Sequence, residues 1–141
     1  MEVTRQPSEA HLQTVRQWNL QYLGSNVMSD QEDGVVFFVN GEICLGYAEY
    51  EFYMDTIEIN WFCAPGNGAA CLMLFLGMLR RAYILSDFIK VKLHVSCCNT
   101  ESPKASKARL NLYYSFGFKI TEATWASPGN MDFVMERNLH N

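Results

Sequence analysis

Apolar residues recur at every second position from Ile57 to Trp61, the pattern of a half-buried strand. The strand cannot continue through residues 65–68 (Pro-Gly-Asn-Gly), because proline lacks a backbone donor and glycine loosens the chain. Residues 69–79 are apolar on every side, which predicts a helix that is buried all round rather than amphipathic. We expect this strand, turn and helix to be the segment around which the chain is organised.

The remaining elements follow from the same two periodicities. Leu12, Val15, Trp18 and Tyr22 recur at helical steps behind Ser8, which suits an N-cap, and Gly24 is expected to end this first helix before a polar loop. Further strands are predicted at residues 2–5, 35–39, 43–53, 89–96, 118–124 and 131–137.

Turn residues separate these segments. Asn40-Gly41 is the strongest hairpin signal, and Met54-Asp55 forms a second turn. A third helix is predicted from the Ser102 cap to Phe116. A final turn spans residues 127–130, and the order is β-α-β-β-β-α-β-α-β-β.

Length and composition place the chain among globular proteins. Its 141 residues, of which 49% are hydrophobic, suit one domain over residues 1–141. The longest apolar run is too short to cross a bilayer, and the first residues are too polar for a secretory signal. We therefore expect a cytoplasmic protein without a membrane partner.

The net charge of −4 conceals an asymmetry between the two halves of the chain. Residues 1–70 carry ten acidic and two basic side chains, whereas residues 71–141 carry five acidic and nine basic ones. This division fits a basic side for an anionic cofactor and an acidic side for a cationic acceptor, although a merely solvated surface gives the same pattern. No basic patch interleaved with aromatic residues indicates a nucleic-acid partner.

The cysteines predict neither disulfides nor a metal site. They are odd in number and form no framework spacing, so we expect reduced, buried thiols (Cys44, Cys63, Cys71, Cys97 and Cys98). His94 lies near Cys97 and Cys98, but adjacent cysteines chelate poorly, and no metal is predicted. Cys63 has no identifiable histidine partner that would make it a nucleophile.

The turn before the apolar helix is a candidate anion site. A helix that begins directly after glycines offers free N–H groups and a positive dipole end to a phosphate. Such a junction also exists simply to turn the chain. No Gly-Lys-Ser/Thr follows, and Cys71 occupies the third glycine position of a dinucleotide fingerprint, so coenzyme A remains as the phosphate-bearing ligand.

At this junction the sequence resembles the GNAT acetyltransferase superfamily, whose motif is R/Q-x-x-G-x-G/A followed by a leucine-rich helix. Gly66, Gly68 and Ala70 occupy the small-residue positions, and Met73-Leu74 the leucine pair. Pro65 stands where the family has Arg or Gln.

A second segment is similar to the LxVxxxN…AixLYxxxGF segment of the same family. Leu93, Val95 and Asn99 match its first part, and Tyr113 and Gly117-Phe118 match its second. The chain is longer than usual between Asn99 and Tyr113, and Arg109 replaces a small residue of the motif.

The resemblance implies an α/β (α+β) fold with a mixed, mostly antiparallel central sheet and helices on both faces. It implies an N-acetyltransferase that moves an acetyl group from acetyl-CoA to a primary amine by direct attack in a ternary complex. The acceptor would be a small-molecule, peptide or protein amine of cationic character, and the oligomeric state is open, with a homodimer as one possibility. The cofactor-binding residues implied are Phe62, Cys63, Ala64, Gly66, Asn67, Gly68, Ala69, Ala70, Asn99 and Tyr113.

Acetyl transfer needs a neutral amine, and an ammonium with a pKa of about 10.4 needs a base. Glu58 is the first candidate, with Asp55 and Glu49 in reserve, although a solvent-facing strand carboxylate is an equal interpretation of Glu58. Backbone N–H groups around Phe62 would stabilise the oxyanion, as a strand amide does in the family. Tyr113 would donate a proton to the leaving thiolate, or would serve only as a wall of the core.

Two other functions stay open at this point. One is a GNAT-fold binding module that works through protein contacts, which Pro65 and the longer segment before Tyr113 favour. The other is an acyltransferase of the same class that uses a longer acyl chain.

Overall fold

The computed structural model describes residues 1–23, 34–98 and 102–140. Its elements follow the order expected from the sequence, whereas the Gly24 stop and the loop after it lie outside the described residues. The helices are α1 (Glu9–Leu23), α2 (Gly68–Ala82) and α3 (Pro103–Ser115). The strands are β1 (Glu2–Thr4), β2 (Val35–Asn40), β3 (Ile43–Tyr53), β4 (Thr56–Cys63), β5 (Lys90–Cys98), β6 (Lys119–Ser127) and β7 (Asn130–Asn138).

Seven strands form one sheet in the order β1-β2-β3-β4-β5-β7-β6. β4 and β5 run parallel, with Glu58 opposite Lys92, while β1/β2, β2/β3, β5/β7 and β6/β7 are antiparallel. The predicted mixed, mostly antiparallel sheet is therefore confirmed. Within the described ranges, no helix combines the length and the apolar character needed to span a membrane.

The chain divides into two compact units, which we describe in turn. The first unit contains Met1–Glu51 and Asn60–Tyr83, and the second contains Phe52–Ile59 and Ile84–Asn141. One domain over residues 1–141 stays a prediction.

In the first unit, strand β2 is buried on both faces. Val35, Phe37 and Val39 join a core cluster with Val15 of α1. On the opposite face, the ring of Phe38 lies 6.0 Å from that of Phe75 of α2. Helices thus cover both faces of this part of the sheet, which explains why β2 is a continuous apolar run rather than an alternating one.

Helix α2 has one buried face, so the prediction that it is buried all round is wrong. The residues of that face are Cys71, Leu72, Phe75, Leu76 and Leu79. Met73 is 64% exposed, because only one side of the helix packs against the sheet. Tyr22 departs from its predicted stripe in the same way: it is 51% exposed in the last turn of α1, while Val15 is fully buried.

Helix α1 begins with a reciprocal cap in which histidine takes the usual place of glutamate. Ser8 Oγ accepts a hydrogen bond from the His11 N–H (3.2 Å), and the Ser8 N–H donates to His11 Nδ1 (2.9 Å). Since Nδ1 accepts, Nε2 carries the proton and donates to the Gly41 carbonyl at 2.7 Å. The predicted Ser8 cap is confirmed, and His11 also ties α1 to the hairpin between β2 and β3.

In the second unit, α3 begins and ends as the sequence predicts. Ser102 Oγ accepts from the Ala105 N–H at 3.1 Å, and Pro103 occupies the first turn. At the other end, the Phe118 N–H donates to the Tyr113 carbonyl (3.1 Å) and the Gly117 N–H to the Tyr114 carbonyl (3.0 Å). These two bonds, with Gly117 at φ +85°, form a Schellman motif.

The last hairpin is tighter than the sequence suggests. Residues 128–129 alone connect β6 and β7, and Ser127 already pairs with Asn130. The two strands are therefore longer than predicted.

Candidate active site

The junction between β4 and α2 is a tight turn. The Asn67 N–H donates to the Ala64 carbonyl at 2.9 Å, so Pro65 and Gly66 are the two central residues. Gly66 has φ +75°, which suits the third residue of a type II turn, and proline suits the second. The predicted end of the strand at these residues is confirmed, and Pro65 has a structural reason to be there.

The N-terminus of α2 is not capped by a side chain. Asn67 is the N-cap residue, but its side chain makes no capping hydrogen bond and donates instead to the Pro65 carbonyl at 3.2 Å. The first helical bond runs from the Cys71 N–H to the Asn67 carbonyl (3.0 Å). Helix geometry therefore leaves the N–H groups of Gly68, Ala69 and Ala70 without an intrahelical acceptor. Three adjacent amides at the positive end of a helix suit an anion.

Strand β3 packs directly behind this junction at Gly46. A Cβ built on Gly46 would lie 2.7 Å from Ala64 Cβ, 3.0 Å from Cys71 Sγ and 3.1 Å from the Cys63 carbonyl oxygen. Real Cβ atoms do not approach other atoms so closely, so only glycine fits here. The packing of β3 thus restricts the positions of the Pro65-Gly66 turn and of the first turn of α2.

The thiols around the junction are neutral and buried. Burial raises the pKa of Cys63 to about 11 and that of Cys71 to about 12, and Cys44 adds to both effects. Burial likewise raises the pKa of Cys44. The predicted reduced state is confirmed for these three residues, and a thiol held in its protonated form is a poor nucleophile.

The two residues at the end of β4 that were predicted to contact the cofactor direct their side chains into the core. Cys63 is 6% exposed, and the Phe62 ring lies 6.2 Å from that of Phe38. Any contact of Cys63 with a ligand would therefore come through its main chain. Asn99, another predicted cofactor residue, lies outside the described residues.

In the second unit, Glu58 has a partner that the sequence reasoning missed. Its Oε1 lies 3.1 Å from His94 Nε2. The side chains are partly exposed, 32% for Glu58 and 49% for His94. The alternation along β5 could have revealed the pair, because parallel pairing of Glu58 with Lys92 places His94 on the same face two residues later.

The reserve carboxylates lie elsewhere. Asp55 sits in the turn before β4, where its Oδ1 accepts from Thr56 Oγ1 at 3.1 Å and its carbonyl accepts from the Lys90 N–H at 2.9 Å. Glu49 lies on β3 opposite Val35, in the first unit. Of the three candidate bases, Glu58 is the one that the structure joins to a histidine.

Tyr113 is held in the core of the second unit. It is 9% exposed, and its ring meets that of Phe118 edge-on, with centroids 5.9 Å apart. This contact accompanies the Schellman motif, so the ring has a packing role whatever the hydroxyl does. Tyr114, its neighbour, is 45% exposed.

Arg109, which replaces a small residue of the family motif, has a clear contact. Its Nη2 donates to the Ser96 carbonyl at 2.7 Å and so ties α3 to β5. In the described part of the chain there is no group of three or more His, Cys, Asp or Glu residues suited to a metal ion.

Comparison with known proteins gives a structural match. No family model and no curated protein sequence matches the chain. Among solved structures, the chain is similar to an aminoglycoside 6′-N-acetyltransferase from Enterococcus faecium, with a TM-score of 0.71 and 10% identity over 100% of this chain and 98% of that one. A GNAT-family acetyltransferase from Bacillus cereus gives a TM-score of 0.66 and 10% identity over 97% and 96%.

A third similar structure contains coenzyme A. It is the PaiA N-acetyltransferase of Thermoplasma acidophilum in complex with coenzyme A, with a TM-score of 0.60 and 16% identity over 97% and 98%. The chain has the GNAT fold. The resemblance drawn from the sequence is thereby confirmed at the level of the fold, and the roles of the individual GNAT-like residues stay predictions.

The packing behind the GNAT-like junction can be tested with two glycines. Gly46→Ala should lower the free energy of unfolding by about 1–3 kcal/mol, the usual cost of overpacking. Gly77→Ala is the matched control, since a Cβ there meets only Arg81 Nη1 at 3.6 Å. It should raise the free energy of unfolding by about 0.5–1 kcal/mol, because alanine favours a helix over glycine.

Urea denaturation of the two variants and the wild type measures both effects. A Gly46→Ala protein as stable as the wild type would contradict the close packing of β3 against the junction.

Proposed function

We propose that the protein is an N-acetyltransferase that uses acetyl-CoA as its acyl donor. The observation that carries this proposal is the uncapped N-terminus of α2 after the Pro65-Gly66 turn, with three amides available to a pyrophosphate. The fold supports it, because the similar solved structures bear the names of acetyltransferases and one of them holds coenzyme A.

The chemistry would be a direct attack by the amine on the thioester. The new C–N bond forms as the C–S bond breaks, and no acyl group is held by the protein. Glu58 would assist in removing a proton from the ammonium, and the Tyr113 hydroxyl would donate a proton to the departing thiolate. The Tyr113 ring is buried in the core of the second unit, so a substitution that removes only the hydroxyl would keep the ring in place.

The acceptor would be a primary amine on a small molecule or a peptide. The excess of acidic side chains in residues 1–70 supports a cationic acceptor, and one of the similar structures is named as an N-acetyltransferase of aminoglycosides. Acetyl is the acyl group proposed. A CoA thioester with a longer acyl chain would place its pyrophosphate at the same amides.

Acetyl-CoA should raise the melting temperature of the protein, because a ligand that binds only the folded state stabilises it by about 2.7 kcal/mol at 100 times its Kd. Gly68→Asp should abolish this shift while the protein stays folded, since it places a carboxylate at the first residue of α2, beside the proposed pyrophosphate.

Gly77→Asp is the matched control, with the same new charge on the same helix, four residues before Arg81. It should keep the acetyl-CoA shift. No shift for the wild type at millimolar acetyl-CoA would favour the second candidate, a GNAT-fold binding module, which Pro65 at the position of the usual Arg or Gln supports. A normal shift for Gly68→Asp would mean that the cofactor binds elsewhere.

The two proposed acid–base groups should differ in their pH profiles. Glu58→Gln should lower kcat/KM by about 10²-fold at neutral pH, and the loss should shrink at high pH, where solvent deprotonates the amine. Tyr113→Phe should lower kcat by about 10²-fold across the pH range below the ordinary phenol pKa of about 10, and it should leave acetyl-CoA affinity within a few-fold, because the hydroxyl acts only as the thiolate leaves.

Release of the CoA thiol, followed against pH with a polyamine as acceptor, measures both profiles. If Tyr113→Phe turns over at the wild-type rate, Tyr113 only packs in the core, and Tyr114 becomes the candidate proton donor to the thiolate.

A further inference from the structure

We propose that His94 is the general base of this reaction and that Glu58 is the residue that positions it. The inference rests on the proposed acetyl transfer and deepens it, because it divides the deprotonation of the amine between two side chains. Glu58 would then act through the imidazole rather than on the substrate.

The proton balance of the reaction calls for such a group. The acceptor enters as an ammonium and leaves as an amide, so its nitrogen gives up two protons. One of them ends on the sulfur of CoA when the C–S bond breaks, and the other is released to solvent in every cycle. An imidazole can take up and release a proton near neutral pH, which suits it to this second transfer.

The geometry of the pair fixes which ring nitrogen would act. Nε2 of His94 faces the Glu58 carboxylate at 3.1 Å, and a carboxylate only accepts hydrogen bonds when ionised. The proton of the neutral ring therefore lies on Nε2 and is donated to Glu58. This leaves the Nδ1 lone pair for the ammonium, the same division of roles that an Asp-His pair uses in acyl transfer.

The exposed fractions of the two side chains also support His94 as the base and Glu58 as the residue that positions it. The His94 side chain is 49% exposed and that of Glu58 is 32% exposed, so the imidazole has more access to water and to an incoming amine. After accepting a proton at Nδ1, the imidazolium keeps its Nε2–H bond to the carboxylate and loses the Nδ1 proton to solvent. No proton needs to pass through Glu58.

The other charged groups near His94 lie at different positions in the register of the sheet. Val134 lies opposite His94 on β7, with Glu122 of β6 opposite Val134 in turn, and Asp132 accepts a hydrogen bond from Ser96 Oγ at 2.8 Å. Lys92, two residues before His94, lies opposite Glu136 of β7. Glu58 is thus the carboxylate that holds His94.

The order of losses in three variants tests the assignment. His94→Gln keeps an N–H for the Glu58 carboxylate but cannot accept a proton, so kcat/KM at neutral pH should fall by about 10²–10⁴-fold, the range for one acid–base group. Glu58→Gln should lower kcat/KM by a smaller factor, because the imidazole remains. His94→Ala should lower kcat/KM as much as His94→Gln does, and free imidazole should restore part of its activity. Free imidazole should not restore the activity of Glu58→Ala.

A measurement that needs no turnover complements the kinetics. Two-bond ¹H–¹⁵N correlation spectra of the wild type should show the neutral His94 ring with its proton on Nε2. A ring protonated on Nδ1 would overturn the inference.

The outcomes also separate the inference from the function on which it rests. His94→Gln at the wild-type rate, with Glu58→Gln slow, would make Glu58 the base and overturn the inference alone. A wild type that releases no CoA thiol in the presence of amines would overturn the acetyltransferase proposal, and the inference with it.

Discussion

The close contact of β3 with the β4–α2 junction is the constraint on which the proposed cofactor site depends. At Gly46 the strand lies so near Ala64 and Cys71 that no side chain fits between them. This contact restricts where the Pro65-Gly66 turn and the start of α2 can lie. The N-cap residue Asn67 makes no side-chain capping bond, so no side chain satisfies the first amides of α2. An anion-binding site needs this combination of rigid placement and unsatisfied donors.

In the second unit, side chains proposed for the reaction also have structural contacts. The Tyr113 ring packs edge-on against Phe118 at the Schellman motif that ends α3. Arg109 joins α3 to the end of β5, the strand that carries His94. The parallel pairing of β4 with β5 then brings Glu58 and His94 to one face of the sheet. Acid–base residues placed on strands are held more precisely than residues on loops.

Much of this architecture could be predicted from the sequence because it depends on local signals. Ser8, Ser102, Gly117 and the Pro65-Gly66 turn each specify their own cap or turn through a few neighbouring residues. The failures concern contacts between distant residues. The burial of α2 on one face only depends on what packs against the helix. The alternation along β5 places Lys92 and His94 on one face, but their approach to Glu58 also depends on the parallel register between β4 and β5, which the pattern within each strand does not contain.

The central claim is that the amides at the start of α2 bind the pyrophosphate of acetyl-CoA, and the most direct measurement is an NMR titration of ¹⁵N-labelled protein with coenzyme A. We expect the largest changes in backbone amide shifts at Gly66, Gly68, Ala69 and Ala70, with saturation at one equivalent of ligand. Two results would contradict the account. One is that coenzyme A leaves the amide shifts of these residues unchanged, and the other is that these shifts respond alike to inorganic phosphate and to coenzyme A without reaching saturation.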